Sequence, residues 1–220
     1  MGERASRIAA LLAGGSVEQG MVRLEGLLLS PGRAALVSLA EAAVGVGLLA
    51  VSARASLRLL GLPVPFTLQT FALTLLVVLL GPRAWRAVAA YLAAGLAGAP
   101  VFALGGGPGY LASPSFGYLL GFLLAALVAG RLSRPYSRRA LLRGALLVLP
   151  LVYLPGALWL SGWLAAAGGM AWRGAVAEAL WAGVLVFLPW DVLKAVAAAE
   201  ASYHLLRLLY RAGQAGRRGA

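Results

Sequence analysis

One short stretch carries an acid and a base in otherwise apolar surroundings, since residues 188–200 read LPWDVLKAVAAAE. Asp191 and Lys194 are three residues apart, so on a helix they share one face and can neutralise each other. A carboxylate near a helix N-terminus is also stabilised by the helix dipole, which would give the pair a structural capping role. Alternatively, both groups face a cavity, where Asp191 accepts from N–H donors and Lys194 attracts a carboxylate. The residues alone leave both interpretations open.

Two further stretches can bring polar groups to such a cavity. Residues 61–70 (GLPVPFTLQT) place Thr67 and Gln69 in the first turns of an apolar helix, where the Gln69 amide needs partners inside the protein or on a neighbouring helix. Residues 98–110 (GAPVFALGGGPGY) form an uncharged loop. A phosphate cradle would need a following Lys-Ser/Thr and a preceding strand, which are missing. We expect a flexible loop that closes over an outer cavity, or else a plain connector.

Few residues of this chain could support enzyme chemistry. The chain has no cysteine and one histidine, which excludes disulfides, thiolate chemistry and a Cys- or His-rich metal site. Glu200 and His204 are four residues apart on the last predicted helix and suggest a proton relay or a satisfied pair. Because His204 is predicted on the inner side, away from the outer polar groups, an intramembrane enzyme is disfavoured and no metal or cofactor is predicted.

The elements that must position these residues are membrane helices. Of the 220 residues, 61% are hydrophobic and 12% are charged, with a mean hydropathy of +0.87, whereas soluble domains have about 25% charged residues. This composition predicts an all-α integral membrane protein surrounded by lipid. The formal net charge of +12 raises nucleic acid as a partner, but the arginines lie at the ends of apolar runs. That pattern indicates membrane topology, so no nucleic-acid partner is predicted.

Six apolar runs predict six transmembrane helices of about 20 residues each, at residues 35–60, 66–81, 85–103, 115–132, 141–161 and 191–209. A shorter run, 174–188, is expected to be a re-entrant or partly inserted helix that leads into the last span. With both termini cytoplasmic, only four of the 19 basic residues lie outside, as the positive-inside rule requires: Arg54, Arg58, Arg173 and Lys194. The membrane domain would then cover residues 34–210, between a cytoplasmic extension (1–33) and a basic cytoplasmic tail (211–220).

Small residues repeat at four-residue spacing on several of these runs. Examples are Gly117 with Gly121, and Ala125 with Ala129. Such rows let helix backbones approach closely in lipid, which favours ordinary packing within the bundle. The alternative is a docking face for a partner membrane protein.

Five motifs, in order, resemble the BioY family, the biotin-specific substrate-binding (S) components of energy-coupling factor (ECF) transporters. In this sequence they are VPFTLQT from Val64, LGP from Leu80, Tyr91 with Gly95, Gly98 and PVF from Pro100, PSFGYLLGF from Pro114, and FLPWDVLK from Phe187. They cover residues 36–208. The resemblance implies a six-helix bundle of the ECF S-component type in the cytoplasmic membrane, which captures biotin from outside with high affinity.

The resemblance also implies a binding site and partners. The acid and base of the last motif belong to the family's pocket, and the neighbouring motifs surround it. The residues expected to bind biotin are therefore Asp191, Lys194, Gln69, Tyr91, Tyr118, Thr67, Phe102 and Trp190. Lys194 either meets the biotin carboxylate or neutralises Asp191 while Asp191 accepts the ureido N–H groups. Biotin is the transported ligand rather than a cofactor, and only partners would use ATP: a transmembrane coupling protein and two ATPase subunits.

The sequence departs from the family pattern in three places. Residues 114–116 read PSF where the family usually has Pro-Thr-Gly, and Trp190 replaces the Gly of Pro-Gly-Asp. Ala43 and Gly47 only weakly match the family's Ala-x-x-x-Ala docking face. Two alternatives remain, an S component for another vitamin and a structural membrane scaffold. Lys194 argues against the cation thiamine, and a scaffold would leave the outer polar cluster without a purpose.

Overall fold

The chain is almost entirely helical in a computed structural model that describes residues 31–57, 62–134 and 136–218, with side chains from residue 35 to residue 208. The helices are α1 (Pro31–Arg54), α2 (Gln69–Leu80), α3 (Ala84–Leu96), α4 (Phe116–Leu132), α5 (Arg138–Ala166), α6 (Trp172–Leu180) and α7 (Leu188–Arg218). The connections contain 3-10 turns at Gly81–Arg83 and Pro108–Ala112, and a π-helical turn at Trp181–Leu185. Two short strands, β1 (Ser56–Leu57) and β2 (Phe66–Thr67), pair antiparallel. The all-α prediction is confirmed.

The predicted domain limits stay predictions, and the described helices run across both of them. The cytoplasmic extension predicted at 1–33 lies outside the described residues, apart from the start of α1 at Pro31. At the other end, α7 continues to Arg218, so the helix includes most of the stretch predicted as a tail.

Four helical stretches among the described residues are long and apolar enough to cross a membrane: Ala35–Arg54, Gln69–Leu96, Arg138–Ala166 and Trp172–Leu208. Phe116–Leu132 is a shorter apolar helix. The first stretch exposes large apolar side chains along its length, including Leu36, Leu39, Val44 and Val51. Lipid accepts such a surface whereas water does not, which agrees with the prediction of an integral membrane protein.

The stretch Gln69–Leu96 is a hairpin rather than one long helix. A continuous helix would separate residues 69 and 91 by about 33 Å, yet Gln69 Nε2 donates to Tyr91 Oη over 2.8 Å. The chain reverses at the 3-10 turn, where Gly81 has a φ of 57°, a left-handed conformation that favours glycine. Pro82 follows and lacks the N–H that a continuing helix would use. The reversal brings the start of α2 beside the end of α3.

The last two helices form one rod that runs antiparallel to α5. Three contacts set the direction: Leu160 with Gly183, Tyr153 with Asp191, and Arg138 with Glu200. Of the two alternatives for 174–188, the re-entrant one is wrong, because this run continues through the π-helical turn into α7; it leads into the last helix as predicted. Its small residues Ala175 and Ala179 are fully buried, and they let α6 pack closely on its neighbours.

Glycines set a close approach between α4 and α5. A Cβ atom at Gly121 would lie 2.7 Å from the Cα of Val152, and one at Gly117 would lie 2.2 Å from the Cβ of Trp159. Only glycine leaves room for these contacts. The packing interpretation of this small-residue row is confirmed.

The connections alternate between two ends of the bundle. We call the end that holds residues 55–57, 62–68, 97–115 and 167–171 the loop end, and the end that holds 81–83, 133–134 and 136–137 the turn end.

Candidate functional site

A cavity lies inside the bundle toward the loop end. Its enclosed volume is about 60 Å³ and it is partly open to solvent, so it is narrower than the roughly 300–1,000 Å³ typical of small-molecule sites. Its deep wall is buried, and its outer lining is partly exposed at Val64, Pro65 and Ala103, which places the mouth there. The polar lining residues are Thr67, Gln69, Thr70, Tyr110, Ser115, Tyr118, Tyr153, Asp191 and Lys194.

Lys194 is the cation of the cavity wall, and three groups hold it. Its Nζ lies 2.9 Å from Asp191 Oδ1 and donates to the carbonyl oxygen of Thr67 over 2.7 Å. The same atom lies 3.9 Å from the centroid of the Phe66 ring, a cation–π contact. An ammonium has three N–H donors, so one donor of Lys194 is left for a ligand.

Asp191 joins three helices through its carboxylate. Oδ2 accepts from Tyr153 Oη of α5 over 2.6 Å and from Thr70 Oγ1 of α2 over 3.2 Å, while Oδ1 accepts from Lys194 of α7. A carboxylate has about four acceptor positions, so one position on Oδ1 remains. The pair thus presents one acceptor beside one donor.

The geometry disfavours the capping interpretation of this pair. The backbone N–H of Asp191 already bonds the carbonyl of Phe187 at 2.9 Å, as inside a helix. The pair also lies deeper than the outer helix end where the sequence suggested it, because α6 and the π-helical turn precede it. Its partner Tyr153 is thirteen residues before the end of α5, about 20 Å along the helix.

Gln69 is held from behind by a buried tyrosine. Its Nε2 donates to Tyr91 Oη over 2.8 Å, and Tyr91 Oη donates to the carbonyl oxygen of Val101 over 3.1 Å. Because Tyr91 is fully buried, it acts on the cavity only through Gln69. The amide oxygen and the second amide N–H of Gln69 remain for the cavity.

Tyr118 forms the wall between α4 and the π-helical turn. Its Oη donates to the carbonyl oxygen of Gly183 over 2.9 Å, and its ring packs edge-on against Tyr153 with centroids 6.4 Å apart. The widened turn at Trp181–Leu185 leaves that carbonyl outside the usual helical pattern. The Tyr118 hydroxyl therefore fixes the π-helical turn against the cavity.

The glycine-rich loop covers the cavity and is tied by its own backbone. Phe102 and Gly105 exchange two backbone hydrogen bonds, of 2.8 and 3.1 Å. The fully buried Phe102 ring packs on Tyr91 and on Tyr110, with centroids 5.3 and 4.5 Å away. Burial raises the pKa of Tyr110, whose neutral hydroxyl bonds Ser115 Oγ at 3.2 Å. The sequence suggested a flexible cover, whereas these contacts describe a braced one.

The predicted binding residues separate into three groups. Five line the cavity: Asp191, Lys194, Gln69, Tyr118 and Thr67. Tyr91 and Phe102 lie behind it and brace Gln69 and the loop. Trp190 lies elsewhere, because its side chain is 58% exposed and borders a separate shallow groove. One step along a helix turns the side chain by about 100°, so the neighbour of Asp191 faces outward.

Four polar residues of the cavity lining were missed from the sequence, namely Thr70, Tyr110, Ser115 and Tyr153, and two of them, Tyr153 and Thr70, bond Asp191. Tyr153 lies between Pro150 and Pro155 in an apolar helix, and its hydroxyl needs a buried partner, which is the signal that would have found it. Thr70 follows Gln69 directly in the quoted motif. Their contact with Asp191 joins residues far apart in the chain, which the sequence does not reveal.

Other candidate groups serve packing at the turn end. Glu200 accepts from Arg138 in a 2.7 Å ion pair, and Glu41 pairs with Arg83 at 3.2 Å. Glu200 is thus bonded to another helix, and the relay with His204 has no support. Within the part of the chain that the structure describes, no group of three His, Asp or Glu side chains could hold a metal ion.

Comparison with known proteins connects this site to one family. The family model described as the BioY family matches residues 21–211. A probable biotin transporter BioY of Lysinibacillus sphaericus is 52% identical over 68 residues, which cover 30% of this chain and 35% of that protein. The biotin transporter BioY of Thermotoga maritima is 34% identical over 149 residues, 66% of this chain and 83% of that protein.

A solved structure supports the fold. It is described as the S-component for biotin from an ECF-type ABC transporter, and it superposes with a TM-score of 0.67. The match covers 81% of this chain and 95% of that chain, at 24% sequence identity. The helical bundle therefore shares the fold of that protein.

Proposed function

Because this chain belongs to the BioY family, we propose that it binds biotin in the cavity and takes it up as the S component of an ECF-type transporter. The chain is a multi-pass membrane protein, and the relatives that it matches are named transporters rather than enzymes. The observation that carries the proposal is the buried Asp191–Lys194 pair in the wall of a cavity that Gln69, Thr70 and Tyr153 also line.

The ureido ring of biotin fits the deep end of the cavity. Asp191 offers one free acceptor position and Lys194 one free donor, side by side. A ureido edge presents an N–H next to a C=O, which is the complementary arrangement. Gln69 supplies a further donor and acceptor from α2. Leu119, Phe122, Val152 and Phe187 provide the apolar surface for the thioether ring and the aliphatic chain.

The biotin carboxylate fits the mouth instead. A carboxylate beside Asp191 would place two negative charges together in a buried site, where Lys194 already neutralises the first one. Of the two alternatives from the sequence, this favours Lys194 as the partner of Asp191. The acid tail then points toward Val64, Pro65 and Ala103, where water reaches it.

Six membrane crossings and cytoplasmic termini are part of the proposal. The reversal at Gly81–Arg83 divides Gln69–Leu96 into two passes, and α6 with α7 supplies one. Together with α1, α4 and α5 this gives six, an even number that leaves both chain ends on one side. Arginines concentrate at the turn end, including Arg131, Arg138, Arg139 and Arg143, so the turn end is assigned to the cytoplasm.

The proposed setting is the cytoplasmic membrane, with a transmembrane coupling protein and two ATPase subunits as partners. The ECF-type description of the similar structure supports these partners. In this account the chain needs no cofactor of its own, and ATP acts only on the partners. Biotin binding by the isolated chain should then need no nucleotide.

A titration of the purified chain tests the function. Biotin, riboflavin and thiamine are each added in detergent without nucleotide, and the intrinsic fluorescence of the six tryptophans is followed. We expect saturable binding of biotin at the lowest concentration of the three. Tight binding of riboflavin or thiamine with no response to biotin would contradict the assignment.

A further inference from the structure

The charges of the cavity are unevenly distributed between its two ends. Lys194 is the one cation among the described residues that line it, and its Nζ bonds Asp191 and the Thr67 carbonyl and lies over the Phe66 ring, with one N–H donor left. The residues that line the mouth, Val64, Pro65 and Ala103, are uncharged.

This distribution has a consequence for a ligand that carries an acid at one end. The lining residues at the mouth give a carboxylate no ion-pair partner, and water reaches it there. Replacing the carboxylate by a neutral amide removes a charge that none of these lining residues pairs with. The partly exposed lining at Val64, Pro65 and Ala103 also lets an added group extend out of the cavity.

We infer that the cavity selects its ligand by the ureido ring and leaves the acid end unselected. The substrate class then includes biotin derivatives that carry a neutral amide or ester at the carboxyl carbon, among them biotin joined through an amide to the side chain of lysine. The inference rests on the proposed function and deepens it, because it divides one site into a selective deep end and a permissive mouth.

Three ligands test the inference on the purified full-length chain: biotin, N-methylbiotinamide and 2-iminobiotin. The amide changes only the acid end, and the imino compound changes only the ureido end. We expect the dissociation constant of the amide to stay within about tenfold of that of biotin, a difference below 1.4 kcal/mol. The imino compound should bind more weakly than the amide. If the amide binds more than tenfold more weakly than biotin, or if the imino compound binds as well as the amide, the inference is overturned.

The variant Lys194→Ala separates the two possible roles of the lysine. If Lys194 holds Asp191 and the ureido ring, the variant raises the dissociation constants of biotin and of the amide by the same factor, so the ratio of the two constants does not change. If Lys194 pairs with the acid tail, the variant raises the dissociation constant of biotin but not that of the amide. The two constants then become more nearly equal, which overturns the inference. Should the variant fail to fold, the three-ligand comparison on the unmodified chain still decides. Absence of biotin binding itself would instead refute the proposed function.

Discussion

The Asp191 carboxylate is held by side chains of three different helices, which is more than charge neutralisation by Lys194 would need. Tyr153 and Thr70 both donate to Oδ2. A buried carboxylate is costly unless it is paired and hydrogen-bonded. Because both bonds come from across the bundle, they also set where Oδ1 lies in the cavity. Tyr153, with the shorter bond of 2.6 Å, is the positioning residue of the site.

Removing this one hydroxyl should weaken ligand binding more than it weakens the fold. In Tyr153→Phe the ring still packs on Tyr118, but Asp191 loses a bond of the kind worth about 1.5–3 kcal/mol. We expect a biotin dissociation constant raised by about tenfold or more, measured by titration against tryptophan fluorescence. Tyr203→Phe on α7, away from the cavity, is the matched control and should bind as the unmodified chain does. An unchanged affinity in Tyr153→Phe would remove its positioning role.

Helices of this bundle approach one another at glycines. The sequence revealed where these glycines are, but it did not reveal which residues they pack against. Gly121 meets the backbone of Val152, and Gly95 receives the ring of Phe102, whose Cζ would lie 2.1 Å from an added Cβ. The first contact fixes α4 on α5, which carry Tyr118 and Tyr153. The second fixes the covering loop on α3. The shape of the cavity therefore depends on small residues that do not line it.

Two glycine-to-alanine substitutions measure how much one such contact stabilises the fold. Gly121→Ala places a methyl group 2.7 Å from Val152 Cα, so the helices must move apart. Gly162→Ala on α5 meets nothing within 4 Å and removes only the flexibility of glycine. Thermal unfolding in detergent should show a lower midpoint for Gly121→Ala, with a loss of about 1–3 kcal/mol, and an equal or higher midpoint for Gly162→Ala. Equal midpoints for the two variants would contradict this packing.

At the scale of the whole molecule, the sequence predicted the apolar segments and most of the polar residues of the cavity. Apolar composition and motif order carry that information along the chain. The sequence could not show how deep a residue lies in the bundle or which way its side chain faces. Asp191 lies well inside the bundle because residues 174–188 continue into α7, and Trp190 faces outward because the helix turns by about 100° per residue. The bond from Tyr153 to Asp191 spans 38 positions and follows only from the folded arrangement.

The absence of native cysteine makes the proposed orientation directly measurable. Leu104→Cys introduces a thiol at the exposed loop end, and Arg139→Cys introduces one at the exposed turn end. A membrane-impermeant maleimide added to intact cells should label the Leu104→Cys variant. It should label Arg139→Cys only after the membrane is opened. Labelling in the reverse order would place the cavity mouth on the cytoplasmic side and overturn the uptake direction.

The central claim is that the buried Asp191–Lys194 pair binds biotin, and one comparison of affinities tests it most directly. The biotin dissociation constants of Asp191→Asn and Lys194→Ala are measured beside that of Glu200→Gln, which breaks an ion pair of α7 at the turn end. Breaking one partner of a buried pair costs about 2–5 kcal/mol, so we expect binding weaker by about thirtyfold or more in the first two variants. Glu200→Gln should bind normally. All three should fold, as judged by thermal unfolding without ligand. Unchanged affinity in the folded Asp191→Asn and Lys194→Ala variants would contradict the claim.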